Sequence, residues 1–104
     1  MPVIGSLGGV KSGVSQGGTV TGNGGTVTST YTVPSGSYLI ISFYSGNDAA
    51  CTLSISSGQS AGIASGNTVT RFDGGVYVGG GGSVTVSATA NKSVAKWGGV
   101  LYSF

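Results

Sequence analysis

The chain has 104 residues, 22 of them Gly, with only 6% charged residues, a net charge of +2 and a mean hydropathy of +0.32. The length fits one small domain, and positive hydropathy with little net charge excludes the disordered class, which combines low hydrophobicity with high net charge. The four cations, Lys11, Arg71, Lys92 and Lys96, are dispersed, which leaves no nucleic-acid footprint, and no apolar run approaches the roughly 20 residues of a membrane helix.

Residues 1–25 read as an extended Gly-rich arm, in which Ile4, Leu7, Val10, Val14 and Val20 stand singly among small polar residues. Their spacing is not helical, and a sequence of this kind is flexible on its own. The start, Met1 to Ser6, has neither the basic nor the apolar region of a secretory signal, so synthesis in a cytoplasm is expected. Gly-Gly-Thr-Val-Thr occurs at Gly17–Thr21 and again at Gly24–Thr28; a solenoid needs more copies than this.

From Thr26 the period becomes two. Val27, Ser29, Tyr31 and Val33 share one face, and Thr26, Thr28, Thr30 and Thr32 the other, the pattern of a half-buried strand. Val33-Pro34-Ser35-Gly36 is expected to close a hairpin, with Gly36 left-handed. Tyr38–Ser45 follows as a strand apolar on both faces: Leu39, Ile41 and Phe43 on one, Tyr38, Ile40 and Tyr44 on the other. Such a strand is central or covered by a neighbouring chain.

Ser45–Asp48 reads as a turn, and Cys51, Leu53 and Ile55 as the inner face of a third strand. Residues 57–67 are Gly-rich loop or weak strand. Thr68–Asp73 is a short strand with Arg71 and Asp73 positioned to pair, Gly74-Gly75 a turn, and Gly79–Gly82 a glycine loop. Ser83–Ala90 alternates, with Val84, Val86, Ala88 and Ala90 inward. Val94–Phe104 closes the chain, is expected to pair with Tyr38–Tyr44, and carries Gly98-Gly99, the mark of a bulge or a close backbone approach. Several short strands at this spacing with no helix specify an all-β class, a small antiparallel β-sandwich over residues 26–104, jelly-roll-like.

Chemistry is sparse. Gly13–Gly17 and Gly58–Gly62 match Gly-x-Ser-x-Gly, but the nucleophile elbow needs a His base and a strand-to-helix turn, and the chain has no His. Asp48 and Asp73 are its only acidic side chains, too few for a hard-cation cage and both in turn contexts. Cys51 is single, so it forms no internal disulfide and reads as a small buried hydrophobe. No catalytic residue, metal or cofactor is expected. Among the aromatic residues, Tyr77 is the best candidate for an exposed contact, on protein or on a glycan.

The run Tyr31-Thr-Val-Pro-Ser-Gly-Ser-Tyr-Leu-Ile-Ile41 and the ending Gly99-Val-Leu-Tyr-Ser-Phe104 resemble the opening and closing strands of small β-sandwich modules in tailed-bacteriophage virion proteins. The resemblance implies a non-enzymatic structural role in the virion. The first expectation is a capsid decoration (cement) protein bound to the major capsid protein or other virion subunits, as a homo-oligomer, trimer or dimer. The alternative is a tail or fibre component that binds a host-surface glycan or protein. The partner-binding residues would be Ile4, Leu7, Val10, Val14 and Val20 of a draped arm, with no nucleic acid and no membrane involved.

Overall fold

In the computed structural model, residues 13–56 and 63–104 are described, residues 63–68 by their backbone. Six strands follow one another: β1 (Gly13–Thr21), β2 (Val27–Thr32), β3 (Ser37–Ile55), β4 (Ile63–Gly79), β5 (Ser83–Ala88) and β6 (Val94–Ser103). They form one antiparallel sheet in the order β1-β6-β3-β5-β2, with β4 along the other side of β3. The class is the expected all-β, small curled sandwich.

The curl follows from the length of β3. Ser37–Gly46 pairs with β6, Cys51–Ile55 pairs with β5, and β4 accompanies both halves. The strand therefore belongs to two layers, β1-β6-β3-β4 and β2-β5-β3-β4. It changes layer where its register against β4 jumps, between Asp48 and Thr52. A strand that switches sheets does so through a bulge or bend. Here Asp48 Oδ1 accepts the Ala50 N–H at 2.9 Å, Asn47 Oδ1 accepts the Val94 N–H at 2.8 Å, and Asn47 Nδ2 donates to the Lys92 carbonyl at 3.2 Å. The expected turn at Ser45–Asp48 is thus a corner within one strand, pinned to the β5–β6 turn.

The core lies between the layers. Leu39, Ile41, Tyr44, Val78 and Ala95 are buried on one side, and Cys51, Leu53, Val84, Val86 and Ala88 on the other. Tyr31 of β2 meets Trp97 of β6 across the gap, ring centroids 6.1 Å apart. Most of these side chains are small, and each fully buried Val or Leu contributes only about 1.5–3 kcal/mol. Val33 caps one end of the core: its N–H donates to the Gly82 carbonyl at 2.9 Å and its carbonyl accepts the Gly81 N–H at 2.8 Å.

Pro34–Gly36 does turn, with Gly36 at φ 80 and the Ser37 N–H donating to the Pro34 carbonyl at 3.2 Å. It is not a hairpin, however, because β2 pairs with β5 and not with β3. The turn carries the chain from one layer to the other.

Residues 13–25 depart from the expected arm. β1 pairs with β6 from Gly13↔Tyr102 to Thr21↔Val94, and Val20 is buried in the core. Ile4, Leu7 and Val10 lie outside the described residues. The glycines of β1 are there for close approach rather than for flexibility. A Cβ on Gly18 would stand 2.8 Å from Trp97 Nε1, and one on Gly17 would stand 2.7 Å from the Trp97 carbonyl oxygen. Composition alone reads such glycines as a loose arm.

A fragment of residues 26–104 should therefore lose cooperative folding, because it strips β6 of one of its two partners and opens the core where Val20 packs and where β1 covers Trp97. Thermal melting followed by circular dichroism checks this. A fragment that melts cooperatively at the midpoint of the full chain would show that β1 is an accessory.

Candidate functional site

Among the described residues, the outer face of the β1-β6-β3-β4 layer carries a cluster of aromatic rings and two cations. Its character is set by a second irregularity in β3. Ile41 pairs with Gly99 of β6 and Val76 of β4, while Phe43 pairs with Gly98 and Arg71, so Ser42 is an extra residue against β6. A bulge of this kind reverses which side chains point inward beyond it. Leu39, Ile41 and Tyr44 are buried, and Phe43 faces outward with Tyr38 and Ile40. The strict alternation expected for Tyr38–Ser45 is corrected at Ser42.

The neighbouring strands are built around this bulge. A Cβ on Gly98 would collide with the Phe43 ring, one on Gly99 with the Ile40 carbonyl, and one on Gly75 with Ile40 Cγ2. On β4 the segment Phe72–Gly75 bulges opposite Ser42, with Gly74 at φ 79 and Gly75 at φ 81. Gly74-Gly75 therefore bends a continuous strand instead of ending one. Arg71 and Asp73 are both exposed and form no ion pair with each other.

At one end of this face lies an aromatic cluster. Tyr38 stacks on Tyr77 at 5.7 Å and on Tyr102 at 5.2 Å, and Phe104 tilts against Tyr38 at 5.0 Å. Tyr77 is 40% exposed and Phe104 71%. The Phe104 N–H donates to the Gly36 carbonyl at 2.9 Å, which fixes the C-terminus beside the cluster. At the other end, beyond the bulge, a groove of about 260 Å³ is lined by Phe43, Ser45, Val69, Arg71 and Lys96. Tyr38 and Phe43 are five residues apart along β3, roughly 16 Å at the ~3.3 Å rise of a strand residue.

The opposite layer presents hydroxyls that satisfy one another. Thr30 meets Thr85 at 3.0 Å, Thr52 meets Ser87 at 2.6 Å, and Ser56 meets Ser83 at 2.7 Å.

The expected contact residues are thus scattered. Tyr77 is on the aromatic face, Val14 is 62% exposed on the edge strand β1, and Val20 is buried. Sequence reading missed Phe43, Arg71 and Lys96 as neighbours, since pairing alone brings them together. The available signal was the double glycine at Gly98-Gly99, which does mark a bulge and a close approach.

Inside the corner, Cys51 is buried and its thiol donates to the Val94 carbonyl at 3.4 Å. The Tyr44 hydroxyl is buried with no hydrogen-bond partner. Burial, and then the nearby Cys51 and Asp48, push its pKa from 10.0 up to about 12. Among the described residues there is no group of three or more metal-ligating side chains, and no helix long and apolar enough to cross a membrane. No family model matches the chain, and no curated protein or solved structure matches it.

Because the phenol pKa is raised in the folded state, folding favours the neutral over the ionised Tyr44: stability relative to the ionised form is fully present below the unfolded value of about 10 and is lost as pH rises through about 12. Alkaline unfolding should therefore set in earlier for the wild type than for Tyr44→Phe. At neutral pH the same variant should be as stable as the wild type or up to about 1 kcal/mol more stable, since it removes an unsatisfied buried hydroxyl. Denaturant melts at two pH values check both statements; a strongly destabilised Tyr44→Phe would reveal a hydrogen bond to that hydroxyl.

Proposed function

We propose that the chain is a non-enzymatic structural protein of a tailed-bacteriophage virion, a decoration or cement subunit that binds the major capsid lattice and stabilises it. The observation that carries this reading is the aromatic outer face, where the Tyr38, Tyr77, Tyr102 and Phe104 rings form one surface with Phe104 71% exposed. Contiguous exposed apolar surface marks interaction sites. A protein with 6% charged residues also has little colloidal repulsion to keep such a face apart from other proteins. The virion assignment comes from the Tyr31–Ile41 and Gly99–Phe104 resemblance. Repetition on a lattice would convert individually weak contacts into durable attachment.

In this reading the aromatic face replaces most of the expected arm as the contact. Val20 leaves the contact set because it packs in the core, and Val14 is exposed; Ile4, Leu7 and Val10 lie outside the described residues. Self-association on the lattice, as a trimer or dimer, belongs to the same proposal. A second reading, a tail or fibre adhesin, draws on the same rings, because stacked tyrosines with one exposed member suit the apolar face of a sugar.

Quantitative mass spectrometry of purified particles tests the proposal. The chain should be present in copy numbers commensurate with the major capsid protein, and its absence would overturn the assignment. Tyr77→Ser with Phe104→Ser should leave the melting temperature within a few degrees and lower incorporation by about tenfold, the effect of losing a central aromatic contact. Glycan-array binding abolished by Tyr77→Ala, in a chain found on tails and not on heads, would establish the adhesin instead.

A further inference from the structure

The groove beyond the Ser42 bulge holds two of the chain's four cations, Arg71 and Lys96, beside the Phe43 ring and the Ser45 hydroxyl. Neither cation forms an ion pair among the described residues. The chain cannot easily supply their counter-charge itself. Asp48 belongs to the corner, where its Oδ1 accepts the Ala50 N–H. Asp73 lies in the β4 bulge and does not line the groove.

Two further features select the kind of anion. β4 pairs only with β3 among the described residues, none of which covers its outer edge next to Val69 and Arg71. An open edge offers backbone donors and acceptors to an added strand. Val69 is 61% exposed and stands with Phe43 in the groove, giving an apolar floor beside the two charges. Side chains of an added strand alternate in direction, so a segment alternating apolar and acidic residues presents one chemistry per face.

We propose that this groove and the edge of β4 unpaired among the described residues together bind an extended acidic peptide segment of a partner protein, with the carboxylates of its groove-side face directed inward over β4 toward Arg71 and Lys96. The inference rests on the reading of the chain as a protein-binding structural subunit, and names the chemistry of the surface it meets. Arg71 supplies a planar fork suited to a carboxylate and Lys96 a point charge. The strand edge supplies register, and the charges supply selectivity.

The test uses the isotope-labelled full chain, titrated with a blocked hexapeptide of alternating Val and Glu. Backbone amides of Thr70, Arg71 and Phe72 should shift saturably together with the Arg71 side chain. Arg71→Gln and Lys96→Gln, both exposed positions, should keep the wild-type melting temperature and each weaken binding by about tenfold, as expected for removing one member of a charge pair. Added salt should weaken it further.

The same peptide with Gln for Glu binding equally well would overturn the charge assignment. Inorganic phosphate reproducing the Arg71 and Lys96 shifts, with no peptide-specific shift along β4, would reduce the groove to an adventitious ion only. Glucuronate binding in preference to the peptide would make it a saccharide site and overturn the peptide. Sedimentation showing a dimer that Asp73→Asn dissolves would place the anion on a second copy and overturn the hetero-partner. Because the titration needs no particle, its failure is separate from absence of the chain in virions.

Discussion

One strand has to serve two layers, and the rest of the molecule adjusts to that. β3 is 19 residues long and pairs first with β6 and then with β5. A continuous strand cannot leave one sheet for another without breaking its ladder, and the break exposes backbone groups that must find partners. Asn47 and Asp48 meet that need. Asp48 holds the bend locally, and Asn47 ties it to Lys92 and Val94 on either side of the turn between β5 and β6. That turn contains Lys92, at φ 67 the one left-handed non-glycine residue among the described residues, held by the Asn47 bond to its carbonyl and by its own N–H to the Gly22 carbonyl at 3.1 Å. The corner thus fixes the turn, and the turn fixes the connection from β1 to β2.

The Ser42 bulge sits a few residues before the corner and has a different consequence. It turns Tyr44 inward, where the ring fills the corner, and leaves the Tyr44 hydroxyl without a partner. It also turns Phe43 outward. The outward ring is tolerated only because β6 presents Gly98 at that point, and Ile40 only because β4 presents Gly75. The Phe43 wall of the basic groove exists because Gly98 on β6 leaves room for the ring the bulge turns outward. Core packing and the outer surface are therefore coupled through a single register shift.

Much of the fold is written in the chain. The Thr26–Val33 alternation, the inward Val84, Val86 and Ala88, and the pairing of the C-terminal strand with Tyr38–Tyr44 are in the structure as expected, whereas Ala90, expected inward with that set, is exposed because β5 ends at Ala88. What patterning could not supply were the interruptions. Asn47, Asp48 and Gly74-Gly75 carry turn chemistry, but the same side-chain and left-handed geometries also serve corners and bulges inside a long strand. Only the partner strand decides between them. Residues 13–21 failed for a related reason. A strand whose neighbours fill its side-chain space must itself be glycine-rich, and then it has the composition of a linker. The groove was illegible because Arg71 and Lys96 are 25 residues apart in the sequence and meet only across β3.

The two outer faces of the sandwich differ in a way that bears on function more directly than any single residue. On the β2-β5 layer, threonine and serine hydroxyls pair across strands, as in Thr30 with Thr85 and Thr52 with Ser87. Such cross-strand pairs stabilise the sheet and leave little unmet demand at its surface. The opposite layer keeps exposed rings at one end and two cations without ion pairs at the other. In a protein with so few charges, placing half of the cations beside one aromatic ring is a strong local feature, because few other charges screen or compete with it. The molecule is thus polarised: one face is complete in itself, and the other offers apolar area, charge and a strand edge unpaired among the described residues together. A contact that used only the rings would be adhesive but unselective. One that also engaged Arg71, Lys96 and the edge of β4 would be fixed in direction and register, which is what ordered placement on a repeating surface requires.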